Sequence, residues 1–158
     1  MKNFKFFVAA LAVVATLFVS CEKQVEGTDQ TKATMVVTWD GTELQDGATV
    51  TVTEAEYGEM IAHLAVENTG KRPIDVTLNE IRRFDSNAKG SALCTDVCIP
   101  GDSNSSQLWN VGTIYPEVKA TADYHLYLKQ GATTTNSEAH LIFSEGTTEI
   151  KNLVKFVL

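Results

Sequence analysis

Two antiparallel sheets stacked face to face, built from about seven to nine short strands, are the fold that the sequence predicts for residues 34–158. Three observations predict this all-β class. Apolar and polar residues alternate in short runs, as a half-buried strand requires. Gly, Asp, Asn and Pro punctuate those runs. No stretch after residue 33 keeps helical spacing.

The elements follow in order. Met35–Trp39 is the first run, with Trp39 expected in the core. Asp40-Gly41 and Asp46-Gly47 are turn signals, because glycine takes a positive φ at little steric cost. Val50 and Val52 share one face of the next run. The longest run, residues 59–68, puts Met60, Ala62, Leu64 and Val66 on one face and His63 and Ala65 on the other. Asn68-Thr69-Gly70 and Pro73 end it. Ile74, Val76 and Leu78 resume the alternation, and the change of phase at Ile81 predicts a bulge near Asn79 or Glu80. Residues 85–91 and 101–107 read as loops on either side of a cysteine-bearing run, and 108–114 as a weaker strand. Tyr124, Leu126 and Leu128 alternate with Asp123, His125, Tyr127 and Lys129. Ala139, Leu141 and Phe143 repeat the pattern, and Val154, Phe156 and Leu158 form the last inward set.

The front of the chain differs. Lys2 and Lys5 precede an apolar run over residues 6–19, whose 14 residues are too few to span a bilayer. A basic start, a short apolar middle and the small Ser20 describe a secretory signal peptide. With Cys21 following, Leu17-Phe18-Val19-Ser20-Cys21 resembles a bacterial lipoprotein lipobox, although Phe18 stands where a leucine is usual. The resemblance implies cleavage before Cys21, a diacylglycerol on its sulfur and a further acyl chain, such as palmitate, on its new amine. Residues 1–20 are then the signal peptide and 21–33 a polar, lipid-anchored flexible tether. Three acyl chains would hold the protein on a membrane, since each buried CH₂ contributes roughly 0.8 kcal/mol.

Removing residues 1–20 takes away two of the 13 Lys and Arg and none of the 20 acids, so 11 against 20 leaves a net charge of −9. That balance argues against nucleic-acid partners. Two cysteines remain, Cys94 and Cys98. In an oxidising compartment they read as a structural disulfide closing a very short loop. Free thiols, or metal or redox use, are the alternatives; a zinc site needs two further ligands, and none is nearby in sequence.

Taken together, residues 34–158 resemble the immunoglobulin-like sandwiches of small exported Bacteroidota lipoproteins. The resemblance is carried by the strand Glu59-Met60-Ile61-Ala62-His63-Leu64-Ala65-Val66-Glu67-Asn68, the Gly/Lys/Pro turn after it and the pair Cys94 and Cys98. Leu141-Ile142-Phe143 and the Val/Phe-rich last strand complete it. Thr95 departs from the aromatic often found after the first cysteine, and the resemblance supplies no catalytic residue.

The remaining chemistry is sparse. Gly101-Asp102-Ser103 resembles the nucleophile block of GDS-type esterases. The partner motif Asp123-Tyr124-His125 is one residue too short, and the stretch reads as a polar loop. His63, His125 and His140 lie on outward phases and would converge on a metal only if their strands were neighbours; surface histidines are the reading, and no metal or cofactor is expected. Tyr57, Trp109, Tyr115 and Tyr127 are candidate binding aromatics. The expected function is that of an outer-membrane lipoprotein, surface-exposed and non-catalytic, binding protein or glycan. A periplasm-facing accessory, scaffold or inhibitor subunit of an envelope complex is the alternative.

Overall fold

The computed structural model describes residues 34–101 and 105–158. The signal peptide, Cys21 and the tether, together with Ser103, lie outside the described residues. Thirteen strands make up the described chain: β1 (Met35–Trp39), β2 (Thr42–Glu43), β3 (Thr49–Val52), β4 (Glu59–Ala62), β5 (Leu64–Asn68), β6 (Ile74–Arg83), β7 (Ala88–Cys94), β8 (Cys98–Pro100), β9 (Ser106–Ile114), β10 (Lys119–Thr121), β11 (Asp123–Leu128), β12 (Asn136–Glu145) and β13 (Thr148–Val157). Among the described residues no helix is long and apolar enough to cross a membrane.

The all-β sandwich predicted by the alternation is the fold. Its strands form three hydrogen-bonded ladders, ordered β10-β5-β1-β2, β4-β11-β7-β8 and β3-β13-β12-β6-β9. The strand count exceeds the expected one partly because the short strands β2 and β8 add to it, and partly because two long runs are each interrupted by a single residue. His63 separates β4 from β5, and Ala122 separates β10 from β11. The break is tied across, Ala122 N–H donating to Leu64 O at 2.9 Å. The two four-stranded ladders therefore continue into one another as one bent layer. The five-stranded sheet is the other layer; Tyr124 of β11 packs on Phe156 of β13 with ring centroids 6.0 Å apart. One pair is parallel rather than antiparallel, β3 running alongside β13.

Inward positions supply the core: Met60, Leu64, Leu126, Leu141, Phe143 and Phe156 are all buried. Trp39 packs against this cluster from a half-buried position. Leu158, expected inward, is exposed, since the ladder ends at Val157.

The bulge expected near Asn79 or Glu80 is not there. β6 keeps its phase through Ile74, Val76, Leu78 and Glu80, all four buried, and Ile81 simply faces outward. The register shift lies instead between Val76 and Thr77, where β9 inserts an extra residue beside Gly112. Gly112 has φ +114°, a conformation that suits glycine at a bulge.

At one end of the sandwich, Asp85 ties its own turn to the start of β12. Asn87 and Ala88 N–H donate to its Oδ1 at 2.9 and 3.2 Å, Asn136 N–H to its Oδ2 at 2.8 Å, and the Thr135 hydroxyl to Oδ1 at 3.2 Å. Burial pushes the Asp85 carboxyl up, but the Asn136, Asn87, Thr135 and Ala88 donors together outweigh it and hold it below its ordinary value. A depressed folded pKa means stability present above the unfolded value and lost as pH falls through the folded one. Asp85→Asn is expected to flatten the acid limb of a urea-midpoint profile below about pH 4. Asp85→Ala is expected to cost about 1–2 kcal/mol at neutral pH. An acid limb unchanged in Asp85→Asn would contradict this role.

Candidate functional site

The outer face of the β4-β11-β7-β8 ladder gathers a row of reactive side chains. Register explains why. Asp123 stands opposite Cys94, His125 opposite Ala92 and Tyr127 opposite Gly90 on one side of β11. On the other side His125 faces Ile61 and Tyr127 faces Glu59. Alternate residues of a strand share a face, so Asp123, His125 and Tyr127 stand in a row with Cys94 and Glu59.

Two acid–imidazole pairs result. His125 Nδ1 lies 3.2 Å from Glu59 Oε2, and His63 Nδ1 lies 3.4 Å from Asp123 Oδ2. The His125 and Tyr127 rings are 6.2 Å apart. Burial, and then the Glu59 charge, push the Tyr127 hydroxyl above its ordinary pKa. Tyr127, Lys89, Gly90, Ala92, Cys98 and Pro100, with Ser91 and Gly101, line a shallow cleft of about 420 Å³. Gly90 leaves the space opposite Tyr127 open.

Cys94 and Cys98 are disulfide-bonded across the β7–β8 hairpin, in direct register and with Cα atoms 3.9 Å apart. Cys94 is buried and Cys98 exposed. His125 is the third member of this group; its ring and the two sulfurs lie within 4.8 Å of one another.

Beneath the same ladder, between the layers, sits a polar cluster. Glu80 is wholly buried. Its Oε1 accepts from the Tyr124 hydroxyl and, at 3.0 Å, from the Ser91 hydroxyl. Its Oε2 accepts from the indole N–H of Trp109 at 3.3 Å. Arg82 Nε lies 3.5 Å from Oε1, in a side chain that is itself nearly buried. Burial first, and then the Glu80 charge, raise the Tyr124 hydroxyl well above its ordinary pKa. Gly101 closes over the cluster: a Cβ there would sit 2.9 Å from Ser91 Oγ and 3.1 Å from Arg82 Nη1. With its carboxylate wholly buried, the cluster orders the core.

This geometry corrects one expected site residue. Trp109 is 3% exposed and spends its polar edge on Glu80, so it is core and not a binding aromatic. Tyr57 and Tyr115 are exposed as expected, but at opposite ends of the sandwich. Tyr57 precedes β4 near the Asp85 end, whereas Tyr115 follows β9 beside the Asn68 turn. Tyr127 is half-buried on the outer face. The three histidines do not converge. His63 and His125 belong to one layer, while His140 lines a cleft of about 430 Å³ with Arg83, Ile81 and Lys151 on the outside of the other. Asp123 and His125, the acid–base pair suggested by the esterase likeness, face different partners.

The fold and this face define a small two-layer β-sandwich with a hairpin disulfide on its outer surface. No protein-family model matches the chain, and no curated protein does. Solved structures do. The chain is similar to the N-terminal domain of PorA at 19% identity and a TM-score of 0.52, covering 78% of this chain and 96% of that one. It also aligns with part of a family 123 glycoside hydrolase from Clostridium perfringens at 11% identity and a TM-score of 0.46, covering 80% of this chain and 27% of that one. A third match is an uncharacterized β-sandwich protein from Clostridium difficile 630, at 12% identity and a TM-score of 0.32, covering 78% of this chain and 86% of that one. Likeness at such identities speaks to fold alone.

Proposed function

We propose that this chain is a lipoprotein of Bacteroidota type that works by binding. Cys21 anchors it to the outer membrane, the tether carries the sandwich outward, and exposed aromatics hold a protein or glycan without catalysis. The lipobox-like residues support the anchor, and one structural observation supports the binding.

That observation is Tyr57. It occupies a two-residue hairpin closed by reciprocal hydrogen bonds between Glu56 and Glu59. Both central residues, Tyr57 at φ +52° and Gly58 at φ +85°, take the left-handed conformation. Such turns favour Asn, Asp or Gly at each position. A tyrosine there costs on the order of 1 kcal/mol, and its ring recovers nothing from packing because it is fully exposed. A residue that strains its own turn to hold an aromatic face in water is what a stacking or anchoring role requires. Tyr127 lies on the same layer, in register with Glu59, two residues beyond Tyr57.

Tyr57→Asn tests this reading with two opposed readouts. Stability is expected to rise by about 0.5–1 kcal/mol as the strain is relieved. Retention on a glycan array, or of a partner from detergent-solubilised envelopes, is expected to fall at least tenfold. A variant that gains stability yet binds as well as wild type would remove Tyr57 from the site. Mass spectrometry of the native amino terminus checks the anchor; an unmodified Cys21 would refute it.

A further inference from the structure

We propose that, once its disulfide is reduced, the Cys94–Cys98 hairpin together with His125 forms a binding site for a zinc-class divalent cation. The three ligand atoms come from two places far apart in sequence, brought together by the pairing of β11 with β7. Cys94 and Cys98 face each other directly across the hairpin. His125 pairs with Ala92, two residues before Cys94, and so stands on the same face of the sheet. The ring and both sulfurs already lie within 4.8 Å of one another. A tetrahedral ion with bonds of about 2.3 Å to sulfur and about 2.0 Å to nitrogen places such ligand atoms roughly 3.5–3.8 Å apart. Side-chain rotation alone can reach that spacing once the sulfurs part.

Two further features suit a metal ligand. Glu59 Oε2 lies 3.2 Å from Nδ1 of His125; with Nδ1–H as the donor, the carboxylate orients the ring and Nε2 is the nitrogen free to bind a cation, the carboxylate–histidine arrangement common around bound zinc. Cys98 is exposed, so a reductant can reach the disulfide.

An external dithiol gives up two electrons and two protons, closing its own disulfide and leaving Cys94 and Cys98 as thiols. The cation then displaces both thiol protons and binds two thiolates and one neutral imidazole, with water completing four-coordination. The oxidised hairpin offers no thiolate, so redox state controls occupancy.

Cobalt(II) is the probe. The full chain is reduced with a dithiol, freed of it by anaerobic gel filtration and titrated with cobalt chloride. One equivalent is expected to bring up the thiolate-to-cobalt charge-transfer band and the visible bands of a tetrahedral ion, both abolished by one equivalent of zinc. The oxidised protein and Cys94→Ser are expected to show neither band. Glu59→Gln is expected to weaken cobalt binding about 10-fold, and His125→Asn more. Three results would each overturn the site: a reduced, β-folded protein without the bands, unchanged affinity in His125→Asn, or loss of the β-sheet circular dichroism on reduction that cobalt does not restore.

Discussion

Glu80→Leu is expected to lower the unfolding free energy by about 3–5 kcal/mol, a large share of the roughly 5–15 kcal/mol typical of a domain. The carboxylate is wholly buried and accepts from Tyr124, Ser91 and Trp109, with Arg82 beside it. Leucine fills the volume but leaves three donors without that acceptor and a nearly buried guanidinium without this counter-charge. Removing one partner of a buried ion pair costs far more than the pair contributes, because the remaining charge stays desolvated. Two companion variants separate the causes. Glu80→Gln keeps the shape, loses the charge and is expected to cost about 2 kcal/mol. Adding Arg82→Met to Glu80→Leu is expected to restore much of the loss. Urea unfolding followed by tryptophan emission reads all three, since Trp109 sits in the cluster. A Glu80→Leu protein within 1 kcal/mol of wild type would show that the carboxylate does not hold this part of the core.

Asn68→Ala is the second large effect, about 2–4 kcal/mol. Asn68 is wholly buried at the end of β5. Its side-chain amide donates to Arg72 O at 2.7 Å and to Ile114 O at 2.8 Å, and its Oδ1 accepts from Gly70 N–H at 2.9 Å. One side chain thus pins its own turn and ties that turn to the end of β9. Gly70 must stay small there, because an added Cβ would lie 2.8 Å from Thr34 Cγ2. Alanine leaves the buried Ile114 carbonyl, and the part-buried Arg72 carbonyl and Gly70 N–H, without this partner. Asn68→Asp is expected to do at least as much harm, since a carboxylate accepts but cannot donate to the carbonyls. Hydrogen exchange at Gly70 and urea unfolding are the measurements. Protection at Gly70 equal to wild type in Asn68→Ala would refute the assignment.

Glu80 and Asn68 also show where the sequence is hard to read. Strands with an unbroken run of apolar inward positions were legible: Val50 and Val52, then Tyr124, Leu126 and Leu128, then Ala139, Leu141 and Phe143 after the buried Ser137. A carboxylate at an inward position looks like a break in phase, and so Glu80 suggested a bulge that β6 does not have. Its burial depends on donors from β7, β9 and β11, which no local pattern reveals. Trp109 was obscured by its neighbours, because exposed Leu108 and the extra residue near Gly112 blur the alternation of β9. The cysteine pair was legible from spacing, as were the exposed tyrosines Tyr57 and Tyr115 from their turns. His125 beside the cysteines was not, because that proximity is set by a pairing between strands some thirty positions apart.

The parallel partnership of β3 with β13 carries a consequence for how the domain comes into being. β13 lies between β3 and β12, and β3 has no other strand beside it in its sheet. A chain made or threaded from its amino end therefore keeps β3 waiting until nearly every later residue has arrived. Val154 and Phe156, both in the buried core, come with that final stretch. Pairing of β3 is expected to come late, because distant segments must meet before either gains from the other.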